Sequence, residues 1–361
     1  MAPMSRYRSD DNHVPTPAMA AYYSQRACVP GTLIIAEASS ISRNQVSAPN
    51  VPAIYSEEQI AGWREVTDAV HAHGSFIICQ LLAPGRAVDP VIAARERVDI
   101  MSASAIRQDA EHAVPKAMTV EDIQQTVREF VEAAKNAIRA GFDGVEIHGA
   151  YGYLLDQFLQ DTCNFRDDEY GGSIERRSRF AVEVVRAVAE AIGPERTALR
   201  LSPWSRVQGM RMADPIPQFS HLIREIASVG SLAYLHFINS RVHAFEDIDA
   251  PAEEGLDFAF KLWDGPILVA GGYDAESAKR FVDQEAAARD NVVVVIGRHF
   301  TSNPDLVFRV REGVPFAPYK REWFYKPETL QGFADFPFSD EFLQAGRGTI
   351  IELNHATHQR S

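Results

Sequence analysis

The chain has 361 residues, 46% of them hydrophobic, which is enough to fill a sizeable globular core. Its formal net charge of −13 excludes general nucleic-acid binding and offers no basic stripe to an anionic membrane. Cys28, Cys79 and Cys163 are sparse and make no metal pattern, and no signal peptide or apolar run of transmembrane length is evident, so a cytoplasmic protein is expected.

In chain order, Leu33–Ala38 reads as a first strand, followed by a helix near Ser56–His73. Ser56 with Glu57, Glu58 and Gln59 behind it is a helix start, because a hydroxyl caps free N–H groups and acids oppose the helix dipole. Phe76–Leu81 is the next strand, and Val120–Ala140 a long helix capped by Thr119. Gly144–His148 follows, then a helix over about Ser173–Ile192. Thr197–Leu201, Leu232–Ile238, Pro266–Ala270 and Val292–Gly297 supply four further strands, alternating with helices near Pro217–Ser228, Ala275–Ala288 and Asn303–Glu312.

Strands alternating with helices imply parallel pairing and right-handed crossovers. These seven strands are one short of a closed barrel, and Met1–Met4 looks like the end of the missing one. An open sheet binding a dinucleotide would need G-x-G-x-x-G, which the chain lacks. The expectation is an α/β fold, a (β/α)8 TIM barrel with a truncated first strand, built as one domain over residues 1–361. The extra length falls in two long loops, about 83–118 and 202–217, and in a C-terminal lid or tail from about 314.

Chemistry in such a barrel sits at the C-terminal ends of the strands. Those ends offer Gln80, His148, Arg200, the pair Gly271 and Gly272, and the pair Gly297 and Arg298. Glycines after the last two strands let backbone N–H groups approach a phosphate, and Arg298 adds a fixed cation. Gln80 and Arg200 end otherwise apolar strands, so each needs a partner: a flat heterocycle rich in carbonyls and ring nitrogens, or a carboxylate inside the barrel mouth. His148, with Tyr151 and Tyr153 close behind it, places an imidazole and a phenol at one strand end. An imidazole, neutral or cationic, holds a substrate oxygen, and a phenol hands over a proton. H-E-x-x-H, C-x-x-C, G-x-S-x-G and a Walker loop are absent, and the acidic run Asp167–Glu169 reads as a solvated helix cap.

Several motifs in a fixed order resemble the Old Yellow Enzyme family of FMN-dependent ene-reductases over essentially the whole chain. They are Gly144–Phe158, Asp168–Arg177, Leu199–Pro203, and Ile296–Arg298 with Ser302–Leu306. Met1–Arg6 is similar to the family's first strand end, and Ser56–Gln59 to one of its helix starts. The resemblance implies FMN held non-covalently, with NADPH as hydride donor. It implies that Pro3, Met4, Ser5, Ala38, Gln80 and Arg200 line the flavin ring and that Gly271, Gly272, Gly297 and Arg298 hold its phosphate. By the same resemblance His148 binds a carbonyl oxygen, Tyr153 donates the proton, and Phe324 and Tyr325 roof the pocket. The implied reaction reduces the C=C bond of an α,β-unsaturated aldehyde or ketone, with hydride from flavin N5 and the proton from Tyr153.

Two departures from the family stand out. Asn or His usually lies three positions after the histidine, where this chain has Tyr151, expected to reshape the pocket as a donor or a wall. Family chains also begin further upstream, so a start at Met1 predicts unpaired edges on neighbouring strands. The alternatives are a redox-neutral flavin isomerase or cyclase and an impaired flavin-binding protein. A small-molecule enal or enone is the expected partner, with the chain a monomer or homodimer.

Overall fold

A computed structural model describes residues 1–243, 246–247, 254–327 and 329–346. The end of the expected C-terminal tail, residues 347–361, lies outside the described residues. Seven parallel strands form the central curled sheet: β1 (Leu33–Ile35), β2 (Phe76–Leu82), β3 (Gly144–Gly149), β4 (Thr197–Leu201), β5 (Tyr234–Ile238), β6 (Ile267–Ala270) and β7 (Val292–Val295). They pair strictly in chain order, and a short strand Ser39–Ser40 continues β1 beside Leu81–Leu82. This is the expected α/β barrel of TIM type.

The seam between β1 and β7 is bridged by the first two residues. Ile35 N donates to Met1 O (3.0 Å) and Ala2 N donates to Ile296 O (2.9 Å). Below this bridge no pairing joins β1 to β7 among the described residues. On β7, Val293 is 51% exposed although it is a large apolar strand residue.

Inside the barrel, alternation sorts the side chains into layers. Ile35, Ile78, Ala198, Tyr234 and Leu268 form an apolar lower layer. Further along, Gln80, Glu146, Arg200 and His236 form a buried polar cluster: Gln80 is in register with Glu146 and Arg200 with His236, while Arg200 stands two positions above Glu146, level with His148. Outside, amphipathic helices cover the sheet. Val120–Arg139 buries Ile123, Thr126, Phe130, Ala133, Ala134 and Ala137, the stripe that a 3.6-residue period presents. Its Thr119 cap and the Ser56 cap of Glu57–His71 are both full capping boxes.

The structure shortens or splits several expected elements. The helix expected over Asn303–Glu312 begins only at Leu306, because Pro304 disfavours a helical Asn303, and an unanticipated short helix, Arg298–Ser302, precedes it. Ala275–Ala288 ends as a helix at Arg280 and continues as a π turn over Phe281–Glu285. The helices Pro17–Arg26, Leu154–Leu159 and Asp257–Leu262 were not anticipated. The long loop at 83–118 holds a helix, Pro90–Glu96, and a small parallel bridge between Met101–Ser102 and Lys116–Ala117. No helix among the described residues is long and apolar enough to cross a membrane.

Candidate active site

The C-terminal strand ends open into a cavity of about 450 Å³. Every site residue expected from the sequence reaches its wall. Pro3, Met4, Ser5, Ala38, Gln80 and Arg200 lie with Gly271, Gly272, Gly297 and Arg298, beside His148, Tyr151, Tyr153, Phe324 and Tyr325.

His148 ends β3, and its ring meets Tyr153 edge to face at a centroid distance of 4.8 Å. Burial and the neighbouring Arg200 guanidinium push the imidazole pKa down to about 3, so the ring is neutral. Ala150 N donates to Nδ1 (3.3 Å), which leaves the single ring proton on Nε2 as a hydrogen-bond donor. Burial raises the Tyr153 phenol above its usual range, and Tyr325 adds to this, so it keeps its proton. A neutral donor and a protonated phenol therefore share one corner.

The turn between them is held from below. Gly152 has φ +78° and donates to Asp156 Oδ2 (2.9 Å), while Tyr151 N donates to Ser202 Oγ (2.8 Å). Burial raises the Asp156 carboxyl to about 7. Tyr151 itself has φ +55°, a left-handed conformation that is costly for an aromatic residue. Its ring faces the Arg200 guanidinium, with Cζ 5.6 Å from the centroid. Tyr151 is thus both a wall of the cavity and a cover on Arg200.

In the polar cluster, Glu146 accepts from Gln80 Nε2 (2.6 Å) and from His236 Nδ1 (2.8 Å). Both readings of Gln80 meet here: its NH2 is taken by a carboxylate, while the residue still lines the cavity. Arg200 is 6% exposed, and its Nε has no hydrogen-bond partner among the described residues. A buried guanidinium short of acceptors suits a carbonyl-rich or anionic ligand. At the far side Gly271 has no room for a side chain, since a Cβ would lie 2.9 Å from Asn239 Cβ. Gly272 has φ +68°, and Arg298 donates to the Tyr319 hydroxyl (3.1 Å) beside them. Ring-facing donors at one end and a glycine–arginine cradle at the other fit FMN.

The roof is fastened to the floor. Arg6, fully buried, donates to Phe324 O (3.2 Å) and Gly332 O (2.8 Å), and Arg8 donates to Thr329 O (2.8 Å) and Trp323 O (3.2 Å). Glu37 lies outside the cavity wall, where it accepts from Arg6 N (2.9 Å) and the Tyr23 hydroxyl (3.2 Å).

The cavity also holds residues not anticipated: Tyr7, Val207, Gln208, Tyr273, His299 and Arg321. Tyr7 packs against Tyr325 with ring centroids 5.5 Å apart. Gln208 is brought in by Arg86, which donates to Gln208 O (3.1 Å) and Ile106 O (3.0 Å) and so ties the two long loops together. The expected helix cap at Asp167–Glu169 is a different device, since Asp168 pairs with Arg166 and Glu169 with Arg179. No group of described residues has the makings of a metal site.

Comparison with known proteins agrees with this geometry. Residues 1–316 match the model of the NADH:flavin oxidoreductase / NADH oxidase family. The chain is 52% identical over 348 residues to a chanoclavine-I aldehyde reductase of Penicillium roqueforti, covering 96% of this chain and 93% of that protein. It is 51% identical over 350 residues to an NADP-dependent oxidoreductase of Aspergillus flavus, covering 94% and 92%. The crystal structure of Old Yellow Enzyme from Pichia sp. AKU4542 superposes with a TM-score of 0.87 at 37% identity, covering 94% of this chain and 89% of that one. A barrel of this type, a cavity that fits FMN and these similarities together place the chain in the Old Yellow Enzyme family, as an FMN-dependent oxidoreductase.

Proposed function

We propose that the chain reduces the C=C bond of an α,β-unsaturated aldehyde or ketone, with NADPH as the source of hydride. The observation that carries this reading is the His148–Tyr153 corner, a neutral imidazole and a protonated phenol with ring centroids 4.8 Å apart. Pro3, Met4, Ser5, Ala38, Gln80 and Arg200 would line the ring of FMN, and Gly271, Gly272, Gly297 and Arg298 would hold its phosphate. When bound, FMN supplies the two-electron chemistry, taking hydride from a nicotinamide and giving it to an electron-poor carbon.

The chain's own residues do the rest. His148 Nε2–H donates to the substrate carbonyl oxygen, drawing charge onto it and leaving the β-carbon electrophilic. Tyr153 passes its proton to the α-carbon, trapping the reduced product. Phe324, buried, and Tyr325, 47% exposed, form the upper wall of the cavity against which the substrate would pack. The names of the two fungal relatives, one an aldehyde reductase and one NADP-dependent, favour an enal as acceptor and NADPH as donor.

The test is anaerobic. NADPH should bleach the yellow protein, and an added enal should restore the colour and leave with two more hydrogen atoms. A substrate returned rearranged at unchanged mass would instead establish a redox-neutral isomerase.

A further inference from the structure

Glu146 is fully buried inside the barrel, and the reaction described above gives it no task. It lies two residues before His148 on the same face of β3, one layer below the cavity, whose wall it does not join. Both its oxygens are engaged, Oε1 by Gln80 Nε2 at 2.6 Å and Oε2 by His236 Nδ1 at 2.8 Å. Burial pushes the His236 pKa down, so this ring is a neutral N–H donor. Burial also opposes the charge on Glu146, yet His236, Arg200 and the Gln80 bond hold its carboxyl down to about 2. Glu146 is therefore an anion on the strand beside that of the Arg200 cation, whose register partner is His148.

A buried charge of this kind is expensive, and a well-packed apolar residue serves stability as well or better. What an apolar residue cannot do is hold a neighbouring amide one way round. With its NH2 committed to Glu146, Gln80 keeps only its carbonyl oxygen for a ligand. Nor can an apolar residue offset the Arg200 charge.

We propose that Glu146 is a positioning residue that sets the reduction potential of bound FMN by offsetting the charge of Arg200, and the protein's affinity for the flavin ring by orienting the Gln80 amide. The proposal rests on the reading that Gln80 and Arg200 face the flavin ring. Reduced flavin carries more negative charge than oxidised flavin, so a nearby carboxylate disfavours reduction and a guanidinium favours it.

The test is the midpoint potential of the bound flavin, measured on the holoprotein against a reference dye. Glu146→Gln keeps the shape and a hydrogen bond but leaves the Arg200 charge unopposed. The reduction equilibrium should shift at least tenfold toward reduced flavin, about 30 mV upward for a two-electron couple. Glu146→Asp keeps the charge, and its potential should stay within about threefold of wild type in the same equilibrium. Its shorter reach frees Gln80, so affinity for FMN and for riboflavin should fall by the same factor, the lost contact being with the ring.

A flavin-loaded Glu146→Gln protein with an unchanged potential overturns the proposal. So does a Glu146→Asp protein whose potential shifts tenfold, a result available even if Glu146→Gln fails to fold. A wild-type protein that refuses FMN is a different result, because it removes the flavin reading itself.

Discussion

The His148 imidazole and the Tyr153 phenol stand edge to face, with ring centroids 4.8 Å apart and ring planes 84° apart. Each ring limits the other's rotation, so the hydrogen-bond donor and the proton donor keep a fixed relation. In the proposed reaction one acts on the carbonyl oxygen and the other two atoms away, on the α-carbon. The two roles should therefore separate under mutation.

Tyr153→Phe should slow product formation from an enal by roughly 10²-fold or more, the usual worth of a positioned acid. Bleaching by NADPH should proceed at the wild-type rate, since no proton from Tyr153 enters that half-reaction. Rapid-mixing measurements of the two half-reactions check this directly.

The acid stability of the protein should depend on His148. Its folded pKa of about 3 lies below the unfolded value of 6.5, so the unfolded chain binds more protons between those limits. Stability contributed by the neutral ring is present above about pH 6.5 and is lost progressively toward about pH 3. His148→Gln should flatten the fall in denaturation midpoint across that window. It should also weaken binding of carbonyl ligands.

Tyr151→Asn exchanges a strained aromatic residue for one that tolerates φ +55°. Relief of strain and loss of the ring over Arg200 oppose each other at about 1 kcal/mol each, so thermal stability should change little. The kinetic effect should be larger. A short amide opens the cavity and offers a second donor, which should raise kcat/KM for small cyclic enones about tenfold. Unchanged rates and unchanged ligand binding would show that Tyr151 only fills space.

Arg8→Ala should loosen the roof without dismantling the core. It removes the bonds to Thr329 O and Trp323 O, while the remaining bond of Arg8, to Arg6 O, is internal to the same short segment. Limited proteolysis should cut faster between about 319 and 335, and KM for the enal should rise while FMN stays bound. Arg6→Ala should be far more damaging, costing about 3–5 kcal/mol, because it strands buried carbonyls and the Tyr22 hydroxyl.

The barrel was readable from local pattern. Valine- and isoleucine-rich runs and helices such as Val120–Arg139 carry their periods in a few consecutive residues, and Ser56 and Thr119 announce helix starts. Boundaries failed where a local breaker was overlooked, as at Asn303–Pro304, or where a first-turn proline was overlooked, as at Pro17. Gln80, His148, Arg200 and the paired glycines were legible because strand ends in a barrel must converge. Tyr7, Gln208 and Arg321 were not, because the paths of irregular segments bring them in, and Arg86 fixes one such path by bonding Ile106, 20 positions on, and Gln208, 122 positions on. Glu146 was within reach of sequence reasoning: the period of a strand puts it under His148, on the same face.

The segment from Pro3 to Arg8 supplies part of the cavity floor and the two guanidiniums that grip the aromatic segment overhead. The aromatic segment overhead is therefore held down by Arg6 and Arg8, which lie 315 to 326 positions away in the chain from the carbonyls they bind. An acceptor too thick for the cavity should have to displace Phe324, whose carbonyl Arg6 holds.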